Sequence, residues 1–412
     1  MQKISFIKDK NMATIIRQSY IDKIEKYLGK ETIIVLVGQR RVGKSCMMKM
    51  IRDRKKADDG NNIIYIDKEK REFDNIQTYQ DLNDYIGEHF LSDKHNYILI
   101  DEIQDIKDFE RSIRSYRTEP NTDIIITGSN ARMLSNELST LIGGRYKEIY
   151  IQSLSYNEFL EFHQISDNDE ALALYIQYGG LPGLAKIGLE EDDAREYQMD
   201  IYHTVLLKDV IMRNQIRNVP FLENLVRFLA DNTGKLISAN SIAKYMKSQG
   251  ESITSTAIIN YIFFLCEAYI LHKVNRYDIH GKRIFETNDK FYFEDNGIRN
   301  AIAGGTREGD IEKVIENIIY QNLIRLGYQV YVGQLQAGEI DFVCTKPGGE
   351  RIYVQASYII ADDATREREF GNLRAIKDNY PKYVISMTPL LTKNDDDGIT
   401  HLHLRKFLKE GI

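Results

Sequence analysis

The sequence has little of what marks several large classes of protein. Its 412 residues include three cysteines and six prolines, and its formal net charge is -6. The cysteines stand apart, without a CxxC pair or a Cys/His cluster, which argues against a disulfide framework and against a zinc site. No apolar run approaches the roughly 18 residues needed to cross a bilayer. An acidic chain is not a polycation that coats nucleic acid, although a local basic groove is compatible with it.

The beginning of the chain, MQKISFIKDKNMATIIRQ, lacks the apolar core of a signal peptide. We therefore expect a cytoplasmic protein with reduced thiols and without a membrane partner. Hydrophobic residues make up 42% and charged residues 28% of the chain, which is the balance of a globular protein. At roughly 100–200 residues per domain, the length predicts two to four domains.

The first 155 residues alternate short, β-branched apolar runs with polar stretches long enough for helices. The runs are TIIVLVG, NIIYID, YILID, DIIITGS and EIYIQSL. Apolar strands that alternate with helices indicate a parallel sheet covered on both faces. The sequence therefore predicts an α/β domain over residues 1–155.

Three further units follow without a Gly/Ser/Pro-rich linker between them. Residues 156–230 have a helical pattern, interrupted by the tight YGGLPGL turn, and are predicted to form a helical lid. Residues 231–304 show two short helices and then two strand-like runs, which is the order of a winged helix; a small α+β packing module is the alternative. Residues 305–412 show a helix, three strands, a charged helix and a final strand.

The strongest motif, GQRRVGKS, lies between a buried-strand run and a helical stretch and fits the phosphate-loop pattern G-x-x-x-x-G-K-[ST]. Its glycines let successive backbone N–H groups point at phosphate oxygens, and the helix N-terminus adds its positive end. Lys44 can reach the β- and γ-phosphates, and the Ser45 hydroxyl can ligate Mg²⁺. The predicted nucleotide-binding residues are Gly38, Gln39, Arg40, Arg41, Val42, Gly43, Lys44, Ser45 and Cys46.

Further polar residues near predicted strands suit hydrolysis. Asp101 ends YILID and is predicted to hold Mg²⁺ together with the loop serine, while Glu102 positions or deprotonates the attacking water. Ser129 or Asn130, after the next strand, could hydrogen-bond the γ-phosphate or the water, with Asn130 favoured; an ordinary turn or helix cap is the alternative. Arg145 follows a Gly-Gly turn. Its planar, always ionised guanidinium could stabilise the negative charge of the transition state, and an ordinary surface arginine is the equal alternative.

The motifs GQRRVGKS, ILIDEIQ, ITGSNA, LIGGRY, SLSYNEF and YGGLPGL, in this order, resemble one family. It is the group of prokaryotic AAA-type P-loop ATPases that carry a C-terminal domain of unknown function. The segments VLLKDV, KFYFED, GEIDFV and YVQAS extend the resemblance over nearly the whole chain. The resemblance implies ATP as the nucleotide, a Walker B pair at Asp101 and Glu102, and a sensor at Asn130. It also implies an arginine finger at Arg145 that reaches a neighbouring subunit, and hence a homo-oligomer.

Residues 305–412 resemble a restriction-endonuclease-like fold. Such nucleases hold Mg²⁺ with an Asp that ends one strand and with a Glu two residues before a Lys on the next strand, often helped by a Glu on the preceding helix. Glu316 and Asp341 fit two of these positions, whereas Gln355 and Ser357 stand where Glu and Lys belong. Gln offers only a neutral oxygen to a hard cation, and Ser lacks the ammonium. We therefore expect a catalytically degenerate domain that is retained for binding.

The leading hypothesis is a Mg²⁺-dependent ATPase whose nucleotide state moves the lid and thereby switches the C-terminal binding modules. One alternative is a DNA-binding regulator that uses ATP only as a ligand and contacts phosphates through Lys244 and Lys247. The absence of Lys and Arg from STAIINYIFFLCEAY weakens it. An ATP-driven nuclease is the other alternative, disfavoured by Gln355 and Ser357. The partners under consideration are DNA or RNA bound through residues 231–412, another protein, or a second copy of the chain.

Overall fold

The computed structural model describes residues 15–130, 144–250, 253–281, 283–305, 308–336, 338–389, 395–396 and 398–412. These residues form two sheets, with a helical segment between them along the chain. The Leu-Ile-Gly letters of the LIGGRY motif, residues 141–143, lie outside the described ranges. Within those ranges, no helix has the length and apolar character required to cross a membrane.

The N-terminal domain is a five-stranded sheet with helices on both faces. Its helices are α1 (Gln18–Glu25), α2 (Lys44–Lys56), α3 (Tyr79–His89) and α4 (Glu110–Tyr116), with short 3₁₀ turns at Arg71–Phe73 and Ile103–Asp105. Its strands are β1 (Ile33–Val37), β2 (Asn61–Asp67), β3 (His95–Asp101), β4 (Thr122–Gly128) and β5 (Tyr146–Tyr150). The strand order is β2-β3-β4-β1-β5, and every neighbouring pair is parallel. The predicted parallel sheet is confirmed.

Strand β1 shows why this part of the sequence reads as a continuous apolar run. All five of its residues are buried. Because side chains of a strand alternate between its faces, Ile33, Val35 and Val37 pack into one hydrophobic core while Ile34 and Leu36 pack into another. The strand thus lies inside the sheet, between β4 and the edge strand β5. The carboxyl ends of β1, β3 and β4 meet at one edge of the sheet, where polar residues follow each of them.

A helical segment follows the first sheet, as the sequence predicts. Its helices are α5 (Tyr156–His163), α6 (Asp169–Tyr178), α7 (Leu184–Ile187), α8 (Glu191–Val205), a π-helical stretch (Leu206–Met212) and α9 (Val219–Asp231). The π-helical stretch directly continues α8. Such π-helical geometry is rare and is frequently found at functional sites.

The remaining residues build a mixed sheet with helices packed against it. The helices are α10 (Ala239–Ser248), α11 (Ser255–Glu267), α12 (Asn296–Ala303), α13 (Ile311–Arg325), α14 (Asp363–Arg374) and α15 (Leu404–Glu410), with a 3₁₀ turn at Glu308–Asp310. The strands are β6 (Leu271–Asp278), β7 (Arg283–Phe293), β8 (Gln329–Leu335), β9 (Gly338–Thr345), β10 (Arg351–Ala356), β11 (Lys382–Ser386), β12 (Asp395–Asp396) and β13 (Ile399–His403). Their order is β12-β13-β11-β10-β9-β8-β6-β7.

The β6–β7 hairpin differs in its placement from the sequence-based expectation of a separate winged-helix-like unit at 231–304. Strand β6 pairs in parallel with β8, through Arg276 with Val332 and Tyr277 with Gly333. The hairpin therefore extends the sheet of the residues that follow it. Sequence patterns show that two runs are strands, but they do not show which third strand lies beside them, because that pairing is a long-range contact.

Candidate active site

The phosphate loop between β1 and α2 has the backbone shape that its glycines permit. Gly38 and Gly43 have φ values of 138° and 105°, in a region that side chains disfavour. At Gly38 there is also no room, since an added Cβ would lie 2.1 Å from the carbonyl oxygen of Ile151. Helix α2 begins at Lys44. The loop thus delivers the N-terminal end of a 13-residue helix to the carboxyl edge of the sheet.

Lys44 is buried within this loop. Its Nζ donates hydrogen bonds to the carbonyl oxygens of Gly38 at 2.8 Å and of Gln39 at 2.9 Å. Burial lowers the pKa of the ammonium, and the nearby carboxylates of Glu102 and Asp101 oppose that shift. The cation is held in a position from which a phosphate oxygen can replace a loop carbonyl as acceptor.

Asp101 ends β3 and lies against both the phosphate loop and β4. Its carboxylate accepts hydrogen bonds from the hydroxyls of Thr127 and Ser45. Burial raises its pKa, and these hydrogen bonds oppose the shift. A carboxylate and a hydroxyl side by side are the hard oxygen ligands that Mg²⁺ prefers. The residues present therefore fit the predicted magnesium ion, with Ser45 and Asp101 as the side chains that would hold it.

Glu102 follows directly and adopts an unusual backbone conformation for a residue with a side chain, with φ 54°. Its N–H donates to the Thr127 hydroxyl at 3.0 Å, which fixes the turn. Its carboxylate accepts from the Gln104 amide and, at 3.2 Å, from the Ser129 hydroxyl. Strained backbone that surrounding contacts stabilise is characteristic of functional sites. The Glu102 residue is 6% exposed, so its carboxylate lies within the site and has little contact with bulk water.

The helical segment contributes a carboxylate that sequence reasoning missed. Asp209, on the π-helical stretch, is buried and accepts hydrogen bonds from Arg40 Nε at 2.6 Å and Nη2 at 3.2 Å. Arg213 lies 3.5 Å from the same carboxylate, and the Ser129 hydroxyl donates to it at 3.5 Å. Burial alone would lower the pKa of Arg40, but the Asp209 carboxylate raises it above its ordinary value. One signal was available: in VLLKDV, Lys208 and Asp209 stand together between apolar residues.

The other predicted loop residues divide by exposure. Gln39 and Val42 are buried, whereas Arg41 and Cys46 are exposed. The Val42 carbonyl accepts a hydrogen bond from Arg17 at 3.1 Å. Because the side chains of Arg41 and Cys46 are exposed, we expect the backbone N–H groups of the loop to contact the phosphates at these positions.

Arg17 links this loop to the SYNEF motif. The arginine is buried, and its guanidinium donates to both carboxylate oxygens of Glu158, at 2.7 and 2.9 Å. Glu158 in turn forms a capping box with Ser155 at the start of α5. The helical segment is therefore tied to the phosphate loop at two separate points, here and at the Asp209 contact.

Asn130 and Arg145 have different placements. Asn130 follows β4 and is buried beside Ser129, whose hydroxyl contacts Glu102. Arg145 is exposed and directly precedes β5, where Tyr146 pairs with Ile33 at the amino end of β1. At roughly 3.3 Å per residue, it lies about 16 Å along the sheet from the edge that carries the phosphate loop. Within one chain the arginine is therefore remote from the nucleotide site.

The C-terminal sheet carries a second buried charge cluster, built around a lysine that the sequence did not suggest. Lys290 on β7 is 3% exposed, and its Nζ lies 2.9 Å from Glu316, 2.6 Å from Glu339 and 3.1 Å from Asp341. Tyr292 donates to Glu316 at 2.7 Å. Burial would lower the pKa of Lys290, but the three carboxylates raise it well above the ordinary value. The hairpin thus supplies an ammonium to the carboxylates of the C-terminal unit.

Gln355 and Ser357 lie next to this cluster without adding charge. The Asp341 N–H donates to Gln355 Oε1 at 3.4 Å, and Asp341 Oδ2 accepts from the Ala356 N–H at 3.0 Å. Ser357 is buried. Among the residues that the structure describes, no group of three or more His, Cys, Asp or Glu side chains is arranged to hold a metal ion.

Comparison with known proteins agrees with this geometry. A family model described as an AAA domain matches residues 30–160, and one described as a domain of unknown function (DUF8612) matches residues 169–309. The parallel sheet, the phosphate loop and these matches define the class: a P-loop AAA ATPase domain followed by a C-terminal domain of unknown function.

An uncharacterized protein of Haemophilus influenzae is 34% identical over 404 residues, which cover 96% of this chain and 99% of that protein. The chain belongs to the same family as this protein. An uncharacterized protein of Methanocaldococcus jannaschii is 26% identical over 371 residues, 86% of this chain and 81% of the relative. A Walker-type ATPase of Pyrococcus abyssi superimposes with a TM-score of 0.51 at 14% identity, covering 70% of this chain and 95% of that one. That likeness shows a shared fold.

Proposed function

We propose that the protein hydrolyses ATP in a Mg²⁺-dependent reaction and that the nucleotide state is transmitted to the helical segment. The observation that carries the proposal is the convergence of Lys44, Ser45, Asp101 and Glu102 at one edge of the sheet. They follow the carboxyl ends of two strands, β1 and β3, and each has the chemistry that one part of the reaction requires.

The loop backbone and Lys44 bind the phosphates, with the ammonium exchanging its loop carbonyl acceptors for phosphate oxygens. Ser45 and Asp101 would hold Mg²⁺, which would supply positive charge to the transferred phosphoryl group. Glu102 accepts a proton from the attacking water or orients it, and the Ser129 hydroxyl fixes the position of that carboxylate. Asn130 as a sensor and Arg145 as a finger from a second copy stay predictions within this proposal.

The contact between Arg40 and Asp209 supports transmission to the helical segment. A phosphate oxygen and a carboxylate are both acceptors for a guanidinium fork, so bound nucleotide competes with Asp209 for Arg40. Asp209 also repels added negative charge in the buried site. Nucleotide binding therefore loosens the π-helical stretch from the loop, and release of phosphate lets the ion pair re-form.

For the C-terminal unit we propose a role other than cleavage of nucleic acid, because Lys290 neutralises the charge of its carboxylates. The support is the placement of Lys290, whose ammonium lies between the three carboxylates where a nuclease of this fold would bind its cation. A buried cation and its partners satisfy one another, which leaves little free carboxylate for a second cation. The neutral side chains of Gln355 and Ser357 agree with this interpretation.

The test of hydrolysis is a steady-state ATPase assay that compares the wild type with Glu102→Gln, with and without Mg²⁺. The substitution keeps the shape of the side chain and removes its charge. We expect ATP affinity within a few-fold of the wild type and turnover reduced by about 10²–10⁴-fold, the usual contribution of general acid–base catalysis. The matched control is Glu119→Gln, an exposed residue of the same domain. Equal turnover in Glu102→Gln and Glu119→Gln would refute the assignment.

A further inference from the structure

A basic groove lies where the N-terminal domain meets the C-terminal sheet, away from the nucleotide site. One cavity, of about 350 Å³, is lined by α1, β5 and the end of α13. A second, of about 550 Å³, is lined by β6, α13 and β8. Both include Ile324 and Gly327 in their walls, so the two cavities adjoin at these residues, and together they are called the groove.

The first cavity concentrates positive charge in a chain whose net charge is negative. Lys23, Lys26, Lys147 and Arg325 line it, against one carboxylate, Glu148. A local surplus of this size attracts anions whatever the charge of the whole protein.

The lysines of this cavity are directed at tyrosine rings. The Lys23 ammonium lies 5.2 Å from the centre of the Tyr20 ring, and those of Lys26 and Lys147 lie 6.0 and 5.4 Å from the centre of the Tyr27 ring. Cation–ring contacts of this kind are weak where they are exposed, about 0.5–1 kcal/mol, so the lysines can exchange them for a phosphate.

The acidic side chains of α1 contact partners other than these lysines. Asp22 accepts a hydrogen bond from Gln18 at 2.6 Å, and Glu25 pairs with Arg54 at 3.4 Å. In the wall, Arg325 donates to the Ser153 carbonyl at 2.7 Å, while its buried Nε has no partner among the described residues. Among the described residues, the groove thus presents one buried donor without a hydrogen-bond partner, beside lysines that contact tyrosine rings.

We propose that this groove binds single-stranded nucleic acid, independently of ATP hydrolysis. Lys23 and Lys26 are one helical turn apart, about 5–6 Å, which is close to the spacing of neighbouring phosphates. Tyr27 in the first cavity and Tyr331 in the second are half-buried and offer ring surface to unpaired bases. A positive groove with aromatic side chains in its walls is the usual form of a single-strand site. The concave shape disfavours a flat membrane surface, and paired bases could not stack on these rings.

The test measures binding of fluorescein-labelled dT20 to the full chain by fluorescence anisotropy, between 50 and 200 mM salt. Each phosphate contact on a single strand contributes about -0.7 to the slope of log K against log salt. The double variant Lys26→Glu, Lys147→Glu is expected to lose about 1.4 from the magnitude of that slope and at least roughly tenfold in affinity at 100 mM salt.

The matched control is the double variant Lys244→Glu, Lys247→Glu, which makes the same charge change on two exposed lysines of α10. We expect its affinity for dT20 to stay within about twofold of the wild type. Tyr27→Ala is expected to weaken binding by about five- to a hundredfold, whereas Tyr27→Phe retains it. Thermal melting reports folding, and if the charge reversals unfold the chain, Lys26→Gln with Lys147→Gln replaces them.

Four results would each overturn the proposal. The first is an absence of salt-dependent binding of dT20 by the wild type. The second is equal loss in the α10 control. The third is competition by a 20-base-pair duplex that is as strong as competition by unlabelled dT20. The fourth is that the chain binds phosphatidylserine vesicles through Lys26 and Lys147 but does not bind dT20.

Discussion

Replacing Lys290 with Met removes the ammonium from the three carboxylates of the C-terminal sheet while it keeps the length of the side chain. Among the described residues, the Arg368 guanidinium also interacts electrostatically with Asp341, but it is paired with Glu369 at 2.7 Å and its side chain is 63% exposed, so it does not replace the buried ammonium. The carboxylates of Glu316, Glu339 and Asp341 would then face one another in a partly buried site. We expect a destabilised C-terminal unit whose fold is otherwise retained.

The magnitude follows from burial. Removing one partner of a buried ion pair costs about 3–5 kcal/mol, because the remaining charge is left uncompensated. The side chains of Glu316, Asp341 and Glu339 are 16%, 13% and 32% exposed, so water offsets part of that cost and the lower end applies. For a unit of about 180 residues, roughly 3 kcal/mol lowers the melting temperature by about 6–12 °C.

The loss depends on pH in a defined direction. Burial raises the pKa of Glu316 to about 7, while Lys290 acts to lower it. A carboxyl group whose pKa is higher in the folded state stabilises the fold fully below about pH 4.5, and that contribution is lost as the pH rises through 7. Without the ammonium, the pKa of Glu316 rises further. The destabilisation is therefore expected to be larger at pH 8 than at pH 5.

The assay is thermal unfolding followed by circular dichroism at pH 5 and pH 8, for wild type and variant. Lys346→Met is the matched control, because it removes a lysine of the same sheet unit whose side chain is 31% exposed and lies 3.7 Å from Glu350, which is 53% exposed. Exposed pairs contribute about 0–1 kcal/mol. The reasoning is refuted if Lys290→Met melts within 2 °C of the control at both pH values, a margin below the roughly 2–4 °C expected per kcal/mol.

Three further predictions concern the N-terminal half. Lys44→Ala is expected to weaken binding of a fluorescent ATP analogue by about tenfold or more, against little change in Lys56→Ala, an exposed lysine of the same helix. Asp209→Asn is expected to tighten ATP binding, by about tenfold for each 1.4 kcal/mol of repulsion removed, and to speed hydrogen exchange over residues 206–212; unchanged affinity and exchange would contradict the coupling. Burial lowers the pKa of His163 to about 4, so the stability that its neutral form provides is present above pH 6.5 and lost as the pH falls through 4, up to about 3 kcal/mol. Melting temperatures of His163→Phe measured from pH 7 to pH 4 should fall less than those of the wild type.

Much of the N-terminal site could be predicted from sequence because its determinants are local. The phosphate loop needs glycines and a lysine at fixed spacing, and a strand buried on both faces is visible as an unbroken apolar run. Asp101 and Glu102 follow such a run directly. Once the strands are known to be parallel, their carboxyl ends must share an edge, so the candidate side chains come together without further information.

The residues that sequence reasoning missed all act over long separations in the chain. Asp209 reaches Arg40 across 169 residues, and Lys290 reaches Asp341 from a neighbouring hairpin across 51. A lone Asp or Lys in an amphipathic element has no periodic pattern that reveals its partner. The sequence shows that Ser357 carries no ammonium, whereas the place of Lys290 among the carboxylates depends on how β6 and β7 join the sheet.

That hairpin also sets limits on how the protein can be recombined. The DUF8612 match ends at residue 309, yet β6 and β7, which lie inside it, are strands of the sheet that residues 329–403 complete. A chimera joined near residue 305 would separate β8 from its partner β6. It would also separate the carboxylates of Glu316, Glu339 and Asp341 from Lys290. Exchange of C-terminal parts between relatives is therefore expected to succeed when the crossover lies before Leu271, so that the hairpin and the sheet are inherited together.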